Sequence, residues 1–337
     1  MKQDRLSACY FPTTVMFVDD NQNFLTTLSL KLDLNNIIPK LFFDPINAGK
    51  YLENEYQANP FIKRCLSQIS DEYITHRSVD IDLQTISREI YNPLRYGEIS
   101  VIVVDYAMPQ SNGLDFARLA KAKNPHFKIL MLTGEADETT AINAFNEGII
   151  DLFIRKDASN FEQRINASIN TLQHRYFQEL SQPIMGGLIA HPKSIACFHD
   201  STFIPFFNQI CEENHITEYY LTDTYGGFLL LNFEGVPTLL AIRDEEGMED
   251  NYQISSFSDQ SFPPPLLQDL KNRDKMLVLF QECICDDPVQ AQKYIVPSHK
   301  FTGRHLYYYS LVENLRDYPI STEKIFSCRA YLDETPL

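Results

Sequence analysis

Thr14-Val15-Met16-Phe17-Val18-Asp19-Asp20 is a short apolar, β-rich run that ends in two carboxylates. A run of this length fits a strand buried on both faces of a parallel sheet. The residues around it extend the pattern. Asn21 to Leu34 carries apolar side chains at 24, 25, 28, 30, 32 and 34, a helical spacing, with Asp20 or Asn21 near the cap. Ile37 to Phe43 reads as a second strand, and Pro45 to Tyr56 as a helix with proline in its first turn. Ile99–Asp105, Ile129–Thr133 and Leu152–Lys156 read as further strands. Gly113–Lys123, Thr139–Phe145 and Phe161–Leu180 read as helices between and after them. Such alternation predicts right-handed βαβ units, a doubly wound five-stranded parallel sheet of α/β class.

Ligands of such sheets bind at the carboxyl ends of the strands. Asp19 and Asp20 end the first strand, Asp105 the third, Thr133 the fourth and Lys156 the fifth. Singly, each is an ordinary strand-end or solvated residue; together they gather three acids, a hydroxyl and an ammonium on one rim. Clustered carboxylates repel one another and need a cation. Hard oxygen donors suit Mg²⁺, which takes one or two carboxylates plus a phosphate and keeps several waters. A lysine and a threonine can bind phosphoryl oxygens. The set suits in-line phosphoryl transfer to an aspartate.

Val15–Asp20, Asp105-Tyr106-Ala107-Met108-Pro109-Gln110-Ser111-Asn112-Gly113, Leu130–Gly134 and Phe153-Ile154-Arg155-Lys156 together resemble the CheY-like receiver domain of two-component response regulators. The resemblance covers about residues 13–178. It implies a flavodoxin-like fold with Asp105 as phosphoacceptor. It further implies that Asp20, Asp105 and the Ala107 carbonyl bind Mg²⁺ directly, and Asp19 mainly through water. Thr133 takes the place of the switch hydroxyl, Phe153 of the switch aromatic and Lys156 of the phosphate-binding lysine. The expected partner is a sensor histidine kinase or phosphotransfer protein. A receiver joined to an unusual output also resembles the layout of quorum-sensing response regulators, which implies phosphorylation-linked homodimerisation.

Two departures stand out. The family has proline after the lysine, often with a cis bond; here Asp157 follows Lys156. The interval from Asp20 to Asp105 is 85 residues, about twice the family's. The excess falls at 57–98, where Phe61, Ile62, Cys65, Leu66, Ile69 and Tyr73 have helical spacing. Ile81, Leu83, Ile86 and Ile90 suggest a short helix before Asn92-Pro93. This reads as a helical insertion on the receiver flank, or as a partner or dimer surface. Pro183, Gly186-Gly187 and Pro192 punctuate the chain. The expected division is a receiver over 1–180, a linker over 181–194 and an output domain over 195–337.

Composition sets outer bounds. With 337 residues, 44% hydrophobic and 22% charged, the chain suits two folded domains and not disorder. It has no apolar stretch long enough to span a membrane and no signal-like start, so no membrane partner is expected. Seven scattered cysteines read as reduced thiols of a cytoplasmic protein. Residues 1–180 hold 18 Lys and Arg against 23 Asp and Glu (net −5), and residues 181–337 hold 11 against 22 (net −11). That balance argues against DNA as the output's partner, since phosphate contacts ask for a basic footprint.

The second half reads as a separate α+β domain. His199–Asn214 is helical; Glu218–Thr222, Phe228–Phe233 and Thr238–Ile242 are strands; then come Glu245–Phe257, Leu266–Arg273 and a strand Met276–Phe280, with Tyr307–Leu311 a further strand. The order αβββαβ resembles nuclease folds of the PD-(D/E)XK type, with Asp223 as the first acid. The lysine and second acid are missing, because the third strand ends Ala241-Ile242-Arg243-Asp244. An active nuclease or an atypical DNA-binding regulator are therefore alternatives to a regulator working through contacts. Cys283 and Cys285 lack the partners of a metal site. Tyr307-Tyr308-Tyr309 beside Arg304 and His305 read as strand core before base-stacking surface.

Overall fold

The computed structural model describes residues 5–56, 66–67, 80–109, 112–134, 138–190, 196–256, 262–280 and 291–335. They form two compact units. The first contains the five-stranded sheet, in spatial order Ile37–Phe42, Thr13–Val18, Ile99–Asp105, Lys128–Thr133, Leu152–Arg155, all parallel. This is the doubly wound order 2-1-3-4-5. The middle three strands are buried along their whole length, which is why they read as continuous apolar runs.

Alternate side chains of these strands feed two cores. Met16, Val18, Ile102, Val104, Ile129 and Met131 point to one face, where Phe116, Ala117 and Ala120 of the helix Gly113–Lys123 cover them. Val15, Phe17, Val101, Val103, Leu130 and Leu132 point to the other, against Leu25 and Leu28 and against Ile165, Ile169 and Leu172. At ~1.5–3 kcal/mol for each fully buried large aliphatic or aromatic side chain, this sandwich dominates the unit's stability. Asn21 caps the first helix, Gln22–Ser29, by accepting from the Phe24 amide, and Asp44 caps the second, Pro45–Lys50. The latter continues as one π-helical turn, Tyr51–Glu55.

The second unit holds a six-stranded antiparallel sheet in the order Cys9–Tyr10, Ile216–Leu221, Phe228–Asn232, Pro237–Asp244, Leu306–Val312, His299–Thr302. Helices Phe203–Glu213 and Glu245–Ser256 flank these strands in the chain, so the expected αβββα run is present. The next strand departs from the nuclease-like order. Lys275–Leu277 joins a separate two-stranded ribbon with Ile295–Pro297.

Three other features differ from the reading of the sequence. Pro183 does not end the last receiver helix, which runs from Phe161 to Ala190. Proline costs ~3 kcal/mol inside a helix, but the buried stripe continues past it through Ile184 and Met185. Residues 182–190 are thus helical where a linker was expected over 181–194, and the division between units falls inside this helix, after Ser181. Residues 93–98 of the insertion group with the receiver, whereas its described residues up to Asn92, with helix Leu83–Arg88, belong to the second unit and not to the receiver flank. There Ile86 and Ile90 are buried, the Ile90 carbonyl accepts from the Phe326 amide, and the Tyr91 hydroxyl accepts from the Ser321 amide. The units also exchange ends: the strand Cys9–Tyr10 completes the second unit's sheet, and the helix Cys328–Glu334 groups with the first unit. Of the segment Phe61 to Tyr73, read as helical, only Leu66–Ser67 is described, and it is extended and pairs antiparallel with Asp80–Ile81; the rest of that segment and the Cys283–Cys285 pair lie outside the described residues.

Candidate functional site

In a 2-1-3-4-5 sheet the topological switch point lies between the first and third strands. Asp19-Asp20 follows the first and Asp105 ends the third, and carboxylate oxygens of all three lie within 4.8 Å of one another. Asp19 and Asp105 are buried, at 1% and 6% exposure; Asp20 faces solvent. Asp19 is oriented from below, one oxygen accepting from the Asn21 amide at 2.9 Å.

Lys156 reaches across from the fifth strand. Its Nζ lies 2.7 Å from Asp19 Oδ2 and 2.9 Å from Asp105 Oδ1, and 4.7 Å from the centre of the Phe24 ring. Burial pushes the Asp105 carboxyl above its ordinary value; Lys156 opposes this, and the charges of Asp19 and Asp20 add to it. For Lys156, burial favours the neutral amine, but the hydrogen bonds to Asp19 and Asp105 outweigh it and hold the ammonium above its usual range. The lysine is thus the cation that tethers two of the three acids.

Thr133 is fully buried at the end of the fourth strand, and its hydroxyl has no hydrogen-bond partner among the described residues. A buried hydroxyl without a partner costs ~1–3 kcal/mol, and an incoming acceptor removes that cost. The Thr133 carbonyl is used: it accepts from the Lys156 amide at 3.0 Å. Phe153 is half-buried and packs against the core that includes Met131 and Ala144. Ala107 sits two residues beyond Asp105 on the exposed loop. All the sequence-predicted residues are therefore on one rim or its adjoining strand.

The glycine of the Asp105–Gly113 segment has a steric reason. A Cβ on Gly113 would stand 2.1 Å from the Asp105 carbonyl oxygen, and the Gly113 amide donates to the Tyr106 carbonyl at 2.9 Å. Only glycine lets the loop close against the strand that carries Asp105. The lysine's loop differs from the family's. The described residues contain no cis peptide, and Arg155 and Asp157, on either side of Lys156, form a two-point ion pair at 3.0 and 2.7 Å.

The donor set fits a hard divalent cation: three carboxylates converge, and the unpartnered hydroxyl stands beside the rim. Asp223, the residue singled out in the second unit, is used locally. It accepts from the Tyr225 and Gly227 amides of its own hairpin, each at 2.8 Å, and its other oxygen lies 3.4 Å from Arg243. Asp200 escaped the reading of the sequence. Its carboxylate accepts from the Thr202 amide and hydroxyl, the Arg304 amide and the Tyr307 hydroxyl. Those donors lie up to 107 residues away, so no local pattern announces them.

Known proteins match this arrangement. The response regulator receiver domain model matches residues 63–166, a stretch that holds Asp105, Thr133 and Lys156 but not Asp19-Asp20. The solved structure of the Legionella pneumophila response regulator LqsR aligns with a TM-score of 0.79 at 31% identity, covering 99% of this chain and 97% of that one. Regulatory protein LuxO of Vibrio cholerae serotype O1 is 26% identical over 98 residues, 29% of this chain, and that of Vibrio vulnificus strain YJ016 is 24% identical over 98. The chain spans only 22% of the length of these LuxO relatives. None of the described helices is long and apolar enough to cross a membrane.

Proposed function

The chain belongs to the response-regulator family, and from that premise we propose that it accepts a phosphoryl group on Asp105 from a sensor histidine kinase or phosphotransfer protein. The single observation that carries this reading is the rim itself: Asp19, Asp20 and Asp105 converge under Lys156, beside a buried Thr133 hydroxyl that has no partner among the described residues. An Asp105 carboxylate oxygen bonds to phosphorus as the P–N bond of a phosphohistidine breaks and the imidazole leaves with its electron pair. Lys156 exchanges its bond to Asp105 for a phosphoryl oxygen, and Thr133 donates to another. Asp19, Asp20 and Asp105 would hold Mg²⁺, which supplies positive charge against the phosphoryl oxygens.

Phosphorylation adds a charge of about −1.5 to −2 beside groups already arranged to receive it. One charge-assisted hydrogen bond contributes ~1.5–3 kcal/mol, whereas moving a population from 1:99 to 99:1 takes ~5.5 kcal/mol. Thr133 and Lys156 must therefore act together, with Phe153 burying further as Thr133 moves. The readout is a change in dimerisation or in contacts of the second unit, in a quorum-sensing setting and in the cytoplasm. The acid-rich second half makes DNA the weaker partner.

Incubation with acetyl phosphate and Mg²⁺ tests the assignment. Wild type should gain one acid-labile phosphoryl group by mass, and Asp105→Asn none. Equal labelling of the variant would remove Asp105 from the role. Light scattering with Mg²⁺ and beryllofluoride tests the readout: a doubled mass supports assembly, whereas an unchanged mass with ligand bound redirects the signal to the second unit.

A further inference from the structure

Lys156 has to stand at one place on the rim, and its loop lacks the proline that braces the equivalent lysine in the proteins this sequence resembles. The replacement is visible in the turn. The Lys156 amide is tied to the Thr133 carbonyl at 3.0 Å, and the Ala158 amide closes a turn onto the Arg155 carbonyl at 3.1 Å. Outside that turn, Arg155 Nε and a terminal nitrogen grip both carboxylate oxygens of Asp157, at 3.0 and 2.7 Å. A two-point guanidinium–carboxylate pair fixes orientation as well as distance. Because its partners are the residues immediately before and after Lys156, it fixes the direction in which the lysine leaves the backbone.

We propose that Arg155 and Asp157 are positioning residues for Lys156, an ion-pair brace standing where the proline is missing. The inference rests on the receiver reading of the site. Asp157 is not one of the three carboxylates that converge for a cation, and the Asp157 side chain is 59% exposed. The brace therefore acts through where Lys156 points. Cation binding by Asp19, Asp20 and Asp105 does not need it; capture of a phosphoryl-like anion by Lys156 does.

That difference is the test. The full chain is titrated first with Mg²⁺ alone, then at saturating Mg²⁺ with beryllofluoride, both followed by calorimetry. For Asp157→Ala the expected result is a rise in the beryllofluoride half-saturation of about three- to fivefold, the range an exposed two-point ion pair supports. Its Mg²⁺ half-saturation should stay within about twofold of wild type on the same scale. Asp157→Glu should recover most of the loss. Arg155→Ala should lose at least as much as Asp157→Ala, and the double variant should be no worse than Arg155→Ala, since the pair is already broken in it. Wild-type beryllofluoride affinity in Asp157→Ala overturns the brace, as does an equal loss of Mg²⁺ affinity, which would mean a general disturbance of the rim. Failure of wild type itself to take up beryllofluoride would overturn the receiver reading, and the brace with it.

Discussion

Lys156→Met removes the ammonium that tethers Asp19 and Asp105 and keeps most of the side chain's bulk. The Nζ–carboxylate distances are 2.7 and 2.9 Å. At an effective dielectric of about 20, each pair attracts by about 6 kcal/mol before desolvation is counted. Stripping a partner from a buried ion pair costs ~3–5 kcal/mol net, and the lysine side chain is 28% exposed, which lowers the expectation to about 2–3 kcal/mol. At ~2–4 °C per kcal/mol for a unit of this size, the receiver's melting temperature should fall by about 5–10 °C in EDTA.

Mg²⁺ should return most of that loss. A cation at about 100 times its Kd stabilises by ~2.7 kcal/mol, and in the variant no lysine competes for Asp19 and Asp105. The deficit should also depend on pH. The Asp105 carboxyl stands above its ordinary value through burial, and Lys156 opposes that rise. Without the lysine the rise is larger. A carboxyl raised in the fold favours folding below its unfolded pKa of ~3.9, and that contribution is lost as pH climbs through the raised value. The metal-free variant should therefore fall further behind wild type at pH 8 than at pH 5. Calorimetric melts with EDTA and with Mg²⁺ at both pH values measure all of this. A variant melting within about 2 °C of wild type in EDTA at pH 8, or an equal Mg²⁺ shift in both proteins, would refute the reasoning.

Other expectations follow from single contacts. Thr133→Val removes a buried hydroxyl that has no partner among the described residues, so melting should rise by the equivalent of about 1 kcal/mol while the response to beryllofluoride weakens; a fall in stability would show that the hydroxyl is satisfied. Gly113→Ala places a methyl 2.1 Å from the Asp105 carbonyl oxygen and should cost about 2–4 kcal/mol with a matching drop in Mg²⁺ affinity, so a near-wild-type melt and Mg²⁺ titration would contradict the close approach. In the second unit, burial would raise the Asp200 carboxyl, but its hydrogen bonds from Thr202, Arg304 and Tyr307 bring it down to about 2. A carboxyl depressed in this way stabilises the fold above its unfolded value and loses that contribution as pH falls from about 4 toward 2. Asp200→Asn should thus cost about 2 kcal/mol at neutral pH and progressively less in acid; a deficit constant with pH would count against the donor set.

Asp19, Asp20, Asp105, Thr133 and Lys156 were legible because a parallel sheet puts every strand's carboxyl end on one rim. An apolar run followed by a polar residue is then enough to place that residue. Gly113 was legible as part of a motif, while its reason, the approach to the Asp105 carbonyl, needed coordinates. The Arg155–Asp157 pair was visible only as a missing proline, since sequence spacing does not say which side chains close on each other.

The sequence by itself determined the receiver's succession of strands and helices, its doubly wound class and the chemistry of its rim, because these depend on short-range patterns within single elements and at their ends. Only tertiary structure decided which unit each remaining segment joins. The strand Cys9–Tyr10 is two residues long and pairs with Tyr219 and Tyr220, too short to show a period and too distant to show a partner. The helix through Pro183 persists because the Ile184 and Met185 side chains are buried, a gain the local propensity of proline does not contain. Helix Leu83–Arg88 carries an apolar face that local pattern can announce but not assign, because the hydrophobic effect specifies burial and leaves the choice of covering surface to the rest of the fold.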